Sequence, residues 1–425
     1  MARFLVATHP ITGHVLPALT LVRELAAREH EVLWYCGAKF KDRVEATGAR
    51  FVPYSAAYDY DDADYDAAFP GRDKLSGLGQ IRFDFVNVFV NQIAPQHQDI
   101  DRILREFPAD AIVADPGVAA ASTINERGGP PFAVYSVTCL GLKSRDTAPF
   151  GLGLMPSYSS LGRLRNRLLY FLASDVIFRE VSKALTQQRT SLGLPPAKFE
   201  GPFPSPYLYL EPTVPSFEYP RTDMPPQVHF IGAVLPEAPT EFEPPSWWGE
   251  VVDKRQPVVL VTQGTVATDA EQLLAPTLEA LAGEDVLVIA AGVTSEDLGD
   301  VPANARVEAF IPFKPLLPHV DLYITNGGFG GVHYALANGV PIVCGGTTED
   351  KPEICNRVAY SGVGINLKTD RPTPQRVQEA VKRILSEPRY RQRVRELQAE
   401  LAQHDAPAEA ATLLVRLADT QRPVV

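Results

Sequence analysis

The sequence predicts an α/β protein made of two doubly wound parallel sheets that face each other across a cleft. Three observations carry this: apolar runs alternate with helically spaced segments near the N-terminus, the same alternation restarts after residue 246, and prolines crowd the stretch between them. A chain of 425 residues is about two to three ordinary domains long, enough for two full cores.

Taken in order, residues 4–8 form an apolar run that ends in a Gly/Pro-containing turn. Residues 15–25 put apolar side chains at helical spacing, with Pro17 in the first turn, where a missing N–H costs nothing. A second strand is expected at 32–36, a short helix at 39–46 and a third strand at 51–53. Strands this uniformly apolar belong to a parallel sheet buried on both faces. Residues 54–80 break the rhythm, because the run 58–66 is too rich in aspartate for a core and is expected as an exposed loop. Helices follow over 80–106, strands at Ala111–Ala114 and 132–137, one long amphipathic helix over 161–189, and a strand at 207–210. The second half offers strands at Val258–Thr262, 286–290, 307–311, Leu322–Thr325 and 341–344, with a helix over 270–281.

The proline-laden stretch has the composition of a stiff connector. The expected organisation is a first domain over 1–213, a connector over 214–245, a second domain over 246–405, and a helical tail over 406–425 able to pack back on the first domain.

Composition narrows the function classes. Forty Lys+Arg against 51 Asp+Glu give a net charge of −11, which argues against a nucleic-acid partner. No apolar run is long enough to span a bilayer, so no stable membrane insertion is expected, and only a short amphipathic membrane-touching segment stays open. Cys36, Cys139, Cys344 and Cys355 are scattered without Cys-x-x-Cys spacing and read as reduced core residues. His9, Pro10, Gly13 and His14 cut the first apolar run too short for a signal peptide, so a cytoplasmic protein is expected.

In open parallel sheets a ligand sits beyond the carboxyl ends of the strands, here the loops after Thr8, Ala114, Thr262 and Thr325. The last is the most informative: a strand runs into Asn326-Gly-Gly-Phe-Gly-Gly331, which opens a helix. Free N–H groups and the positive end of the helix dipole make such a start an anion site, although a tightly packed helix start needs glycines too. The first turn lacks Gly-x-Gly-x-x-Gly and no P-loop occurs, so neither nicotinamide nor ATP is favoured. The Asp-x-Asp spacings of 59–66 read as a solvated loop rather than a metal site, and Trp247-Trp248 as an anchor of a helix on the second domain.

Gly13-His14-Val15 with Pro17, Phe310-Ile311-Pro312, Asn326-Gly-Gly-Phe-Gly-Gly331, Gly339-Val-Pro341 and Glu349-Asp350, in this order, resemble the family one GT-B glycosyltransferases, in particular the bacterial macrolide-glycosyltransferase-like branch. The resemblance spans almost the whole chain. It implies two Rossmann-like domains, acceptor on the first and nucleotide sugar on the second. Transfer is inverting, with no metal and no cofactor beyond the nucleotide-sugar co-substrate.

The resemblance assigns His14 as the base that deprotonates the acceptor hydroxyl, and an imidazole, with its ordinary pKa of about 6.5, suits that role. Asp115 becomes the partner that orients the imidazole; its plainer reading is a turn or N-cap aspartate, and Asp110 stands at the other end of the same strand. On the donor side the family pattern puts Phe310 under the nucleobase, the Ile311 backbone at the base edge, and Thr265 against the diphosphate. Asn326 stands where a histidine is general; an amide donates a hydrogen bond but carries no charge. The leaving group would then rely on Gly327, Gly328, Gly330 and Gly331. Tyr334 replaces a ribose-binding glutamate, a loss shared by many users of dTDP-sugars. Asp350, beside Glu349, matches the holder of sugar hydroxyls, and Lys351 replaces a glutamine, with Glu349 or a donor oxygen as its partner. UDP-glucose is the favoured donor and a dTDP-deoxysugar the alternative. Phe83, Phe85 and Phe89, in a segment poor in fixed charge, point to a hydrophobic small-molecule acceptor. His9 and His333 lie near the site without a motif role, and no oligomeric state follows. The rival reading is a catalytically idle GT-B nucleotide-binding or auxiliary protein, suggested by the departures at Asn326, Tyr334 and Lys351; retention of His14 and Asp115 weighs against it.

Overall fold

The computed structural model describes residues 1–75, 77–235, 242–263, 269–294, 296 and 298–425. Two all-parallel sheets form the frame. The first is ordered β3-β2-β1-β4-β5-β6-β7, from β1 (Arg3–Ala7), β2 (Glu31–Cys36), β3 (Arg50–Pro53), β4 (Ala111–Ala114), β5 (Phe132–Tyr135), β6 (Leu208–Glu211) and β7 (Val228–Phe230). The second is ordered β10-β9-β8-β11-β12-β13, from β8 (Val258–Thr262), β9 (Leu287–Ala291), β10 (Ala305–Glu308), β11 (Leu322–Thr325), β12 (Ile342–Cys344) and β13 (Gly364–Asn366). In each sheet the strand order reverses beside its first strand, at β1/β4 and at β8/β11. Register sets Ala7 beside Ala114 and Thr262 beside Thr325, so the loops that follow leave side by side from one carboxyl edge.

The central strands are buried on both faces, as their apolar composition requires. The last helix, Ala406–Thr420, lies against the Thr12–Ala27 helix in the first core, with Leu414 and Leu417 packed among Leu21 and Leu25. Arg28 fastens the pair by donating to the Thr412 hydroxyl at 2.9 Å and the Ala408 carbonyl at 3.0 Å. Within the proline-rich stretch, Val228–Phe230 pairs with β6 as the edge strand of the first sheet, whereas Val214 and Phe217 are buried in the second core. Among the described residues no helix is long and apolar enough to cross a membrane.

Four elements depart from expectation. The run 58–66 is largely exposed as expected but is not a plain loop: it holds short helical turns from Asp62 on, Tyr60 is buried, and the Asp62 carboxylate accepts from the Thr12 N–H at 2.6 Å and the Thr12 hydroxyl at 3.1 Å while pairing with Lys39. Aspartates too charged for an apolar core serve here as caps and ion-pair partners. The single helix over 161–189 is two, Ser160–Leu172 and Arg179–Ser191, separated by a π turn at Ala173–Ile177. There the Ser174 hydroxyl bonds back to the Tyr170 carbonyl at 3.0 Å, competing with the helical ladder. The helix expected over 270–281 begins only at Leu274, because the Gln263 side chain takes the Leu273 N–H at 3.1 Å. Finally, the strand over 307–311 stops at Glu308, before Pro312, and leaves Phe310 75% exposed.

Candidate active site

The first wall of the cleft is built around the turn after β1. Tyr54 donates to the Thr8 carbonyl at 2.6 Å and the Trp34 indole to the Thr8 hydroxyl at 2.9 Å, which anchors the strand end. The chain enters the Thr12–Ala27 helix with Asp62 capping Thr12, and Tyr135 donates to the His14 carbonyl at 2.7 Å. His14 is thereby fixed in the first helical turn, its side chain 18% exposed.

Asp115 leaves β4 on the neighbouring strand and is fully buried. One carboxylate oxygen accepts the His9 N–H at 2.5 Å, and the other accepts the Gly117 N–H at 2.6 Å and lies 3.1 Å from His14 Nδ1. The His14 contact is close but falls short of hydrogen-bond geometry. Burial opposes the charge of Asp115, but His14, His9 and the donated backbone bond outweigh it and hold the carboxyl below its usual range. Asp110, at the other end of β4, instead accepts the Arg3 N–H at 2.7 Å and is not part of the site.

His9 is buried and its pKa is lowered to about 4 by desolvation, so it stays neutral; its Nε2 lies 3.1 Å from the Gly117 carbonyl. Gly117 is dictated by crowding, since a Cβ there would stand 2.7 Å from His9 and 2.9 Å from Phe89. Phe89 stacks on His14 with ring centroids 6.3 Å apart and meets His9 edge-on at 5.1 Å. Phe83 and Phe89 join Ile11, Tyr60, Tyr65 and Phe69 in one aromatic cluster beside the histidine. Phe85 does not: the π turn at Phe85–Phe89 directs it to Phe178 and Phe199 in a separate cluster.

The second wall starts at β11. Gly327 has φ +92°, and a Cβ there would overlap the Cys355 sulfur; Gly331 is pressed by the Tyr323 hydroxyl, 2.8 Å from a Cβ. These two glycines are required by packing. Gly330 is exposed with nothing within 4 Å of a Cβ, and Gly328 is the N-cap of the Phe329–Ala337 helix with no side-chain cap, so this helix start is open to an anion. Asn326 is buried and its amide donates to the Gln263 carbonyl, so that N–H is spent on the neighbouring strand.

Lys351 lies across the glycine turn. Its stem covers Gly346, and its ammonium sits 2.6 Å from Glu349 and 3.3 Å from the Thr348 hydroxyl, so of the two partners anticipated for it the structure pairs it with Glu349. Burial raises the Asp350 carboxyl above its usual range, moderated by a hydrogen bond from Thr138 of the first domain. Tyr334 packs edge-on against Phe313 at 5.5 Å, and burial raises its phenol. Phe310 projects into solvent while Ile311 is buried in the second core. Thr265 lies outside the described residues. His333 is withdrawn from the cleft: it is buried, its pKa lowered to about 4 by desolvation, with Nε2 2.7 Å from the Thr213 hydroxyl.

The two walls face one another: burial raises Tyr65 and Asp84 on the first, and the charge of Glu349 on the second adds to both. The clamp that holds them was not anticipated. Arg357 is buried between Glu218 at 2.6 Å and Glu353 at 3.1 Å, over the Tyr219 ring at 4.2 Å. Glu353 also accepts the Gly151 and Gly153 N–H groups at 3.0 and 2.9 Å. The signal available was an i, i+4 Glu–Arg pair inside the apolar run around Ile354, Cys355 and Val358.

Residues 272–417 match the family model described as the erythromycin biosynthesis protein CIII-like C-terminal domain. The chain is 46% identical over 416 residues to a 4′-demethylrebeccamycin synthase of Lentzea aerocolonigenes, covering 97% of this chain and 99% of that one. It is 34% identical over 447 residues to UDP-glycosyltransferase 2 of Phaeomoniella chlamydospora, covering 97% and 95%. Its fold matches the calicheamicin glycosyltransferase with a TM-score of 0.75 at 23% identity, over 99% of both chains. Two parallel-sheet domains with these relatives across their whole length establish that the chain belongs to the family one GT-B glycosyltransferases and is an enzyme of that kind.

Proposed function

We propose that the protein transfers a sugar from a nucleotide donor to a hydroxyl of a hydrophobic small molecule with inversion, giving a β-glycoside from an α-linked donor, without a metal. The observation that carries this is the His14–Asp115 pair, 3.1 Å apart with the aspartate buried and anionic, set beside an aromatic cluster and across from an open helix start. His14 Nδ1 faces Asp115, which leaves Nε2 to take the acceptor proton as the oxygen attacks the anomeric carbon. Asp115 then stabilises the imidazolium that forms. On the opposite wall the backbone N–H groups at Gly328–Gly331 and the helix dipole receive the departing diphosphate. The reading gives Asp350 the sugar hydroxyls, and Phe310 and the Ile311 backbone the base.

The phenylalanines Phe83 and Phe89 with Tyr60 and Tyr65 support an apolar acceptor, whereas Phe85 packs in a separate cluster. UDP-glucose is the donor the reading favours, the UDP part being supported by the name of the Phaeomoniella chlamydospora relative, and a dTDP-deoxysugar is the alternative.

A thermal-shift series with UDP, dTDP, GDP and their sugars tests the donor: a ligand at about 100 times its Kd stabilises by about 2.7 kcal/mol. Turnover unchanged in EDTA is expected, and its loss would overturn the metal-free mechanism. Nucleotide binding without transfer to any of a panel of aromatic and polyketide acceptors would instead favour the idle reading, for which the internally paired Asn326 and Lys351 are the supporting observation.

A further inference from the structure

The Ser160–Leu172 helix turns its leucines outward. Its buried positions are Gly162, Asn166 and Tyr170, while Leu161, Leu164, Leu168 and Phe171 are 79, 62, 57 and 57% exposed, and Val176 in the following π turn is 60% exposed. The inward face is locked by polar contacts. Asn166 donates to the Arg145 carbonyl at 3.0 Å, the Ser144 N–H donates to the Tyr170 hydroxyl at 3.3 Å, and Gly162 sits so tightly on Ser157 that a Cβ would overlap it. Rotating the helix to bury the leucines would break all three. The result is an apolar ridge about 20 Å long that nothing in the chain covers among the described residues.

Charge identifies what covers it. Arg165 and Arg167 are exposed beside the leucine row, Arg165 also donating to Asn166 Oδ1 at 2.9 Å and the Met155 carbonyl at 3.3 Å, and Arg179 and Lys183 are exposed on the helix that follows. Residues 160–183 hold five basic side chains and two acidic ones, a local excess of three positive charges on a chain of net charge −11. Of the two acids, Asp175 is already paired with Lys198 at 2.5 Å.

We propose that this ridge docks the enzyme on an anionic lipid surface, with the leucines and Phe171 entering the boundary of headgroups and acyl chains and the arginines binding headgroup phosphates. A second copy of the chain joined ridge to ridge would bring the basic strip against itself. The acidic remainder of the molecule is repelled by anionic lipid, so the strip also selects the orientation. The inference is independent of the donor and acceptor assignments.

The test is co-sedimentation of the full chain with vesicles of phosphatidylcholine alone and of an equimolar mixture with phosphatidylglycerol. At low salt we expect at least about tenfold more protein on the mixed vesicles, falling as salt is raised. Arg167→Gln is expected to cut binding about fivefold, and Leu164→Ser with Leu168→Ser to abolish it. Because these side chains are exposed, melting temperature and nucleotide-induced stabilisation are expected to stay unchanged, which separates lost docking from lost fold. Equal binding to both vesicles, or none, overturns the proposal. So does a lipid-free dimer that the leucine variant converts to monomer in sedimentation velocity, since the ridge is then a self-association seam.

Discussion

The two walls of the cleft are prepared to different degrees. On the first, His14 and Asp115 are held in place before any ligand arrives: Asp62 caps the helix, Tyr135 ties the His14 carbonyl, and two backbone N–H groups fix the aspartate. On the second, the polar side chains near the glycine turn are already engaged, Asn326 with the Gln263 main-chain carbonyl and Lys351 with Glu349, and what remains open is backbone N–H. On the proposed reading the base side therefore relies on oriented side chains, and the donor side on the helix terminus, which needs no reorganisation and carries no net charge that must be desolvated.

Substitutions on the two walls are expected to separate accordingly. His14→Ala is expected to lower kcat by about 10²–10⁴ while nucleotide affinity, measured by titration calorimetry, stays within a few-fold. Unimpaired turnover in that variant removes the proposed base and with it the contrast. Asp115→Asn keeps the volume and removes the charge, and a loss of about 10²-fold in kcat is expected. A parallel melt registers the bond lost where the amide NH2, itself a donor, replaces an oxygen that accepted a backbone N–H, about 1–3 kcal/mol.

The pH dependence of stability tests both walls together. Between about pH 4 and 6.5 the unfolded chain binds protons that buried His9 and His333 refuse, so stability is present above about pH 6.5 and is lost as the pH falls toward 4. Each contributes up to about 3 kcal/mol, and His333→Gln, which can still bond Thr213, is expected to flatten the melting-temperature profile over that range.

Gly327→Ala is expected to cost about 2 kcal/mol and to weaken nucleotide binding, because the positive φ and the Cys355 sulfur both oppose a methyl group. Gly330→Ala meets nothing in the protein, so stability is expected to hold within about 0.5 kcal/mol. If only affinity falls, the diphosphate approaches at Gly330. The smallest effect is expected from Glu349→Gln, which frees Lys351 and raises nucleotide-sugar affinity a few-fold. A decrease would mean that Glu349 itself holds the donor, and the second wall would then depend on side chains as the first does.

Much of this was legible along the chain. The alternation of apolar runs marked the central strands, and the carboxyl-end rule pointed to the loops after Thr8, Ala114 and Thr325, which hold His14, Asp115 and the glycine turn. Those signals are local, spanning one turn or one strand. What escaped them depends on residues brought together from far apart. Asp62 looked like solvent because its charge was visible and its partner Thr12, 50 residues away, was not. Phe85 and Phe89 look equivalent in a list of aromatics, and the π turn sends them to different clusters.

The sequence by itself determined the two parallel sheets, the family and the chemical types at the strand ends, because hydrophobic period and turn chemistry act within a few residues. Tertiary structure alone decided that Asp115 and not Asp110 meets His14, that Arg357 clamps the domains, and that an amphipathic helix shows its leucines to the outside. Each of those outcomes depends on which distant group supplies a charge or a hydrogen bond at a buried site, and burial makes that choice worth far more than any local preference.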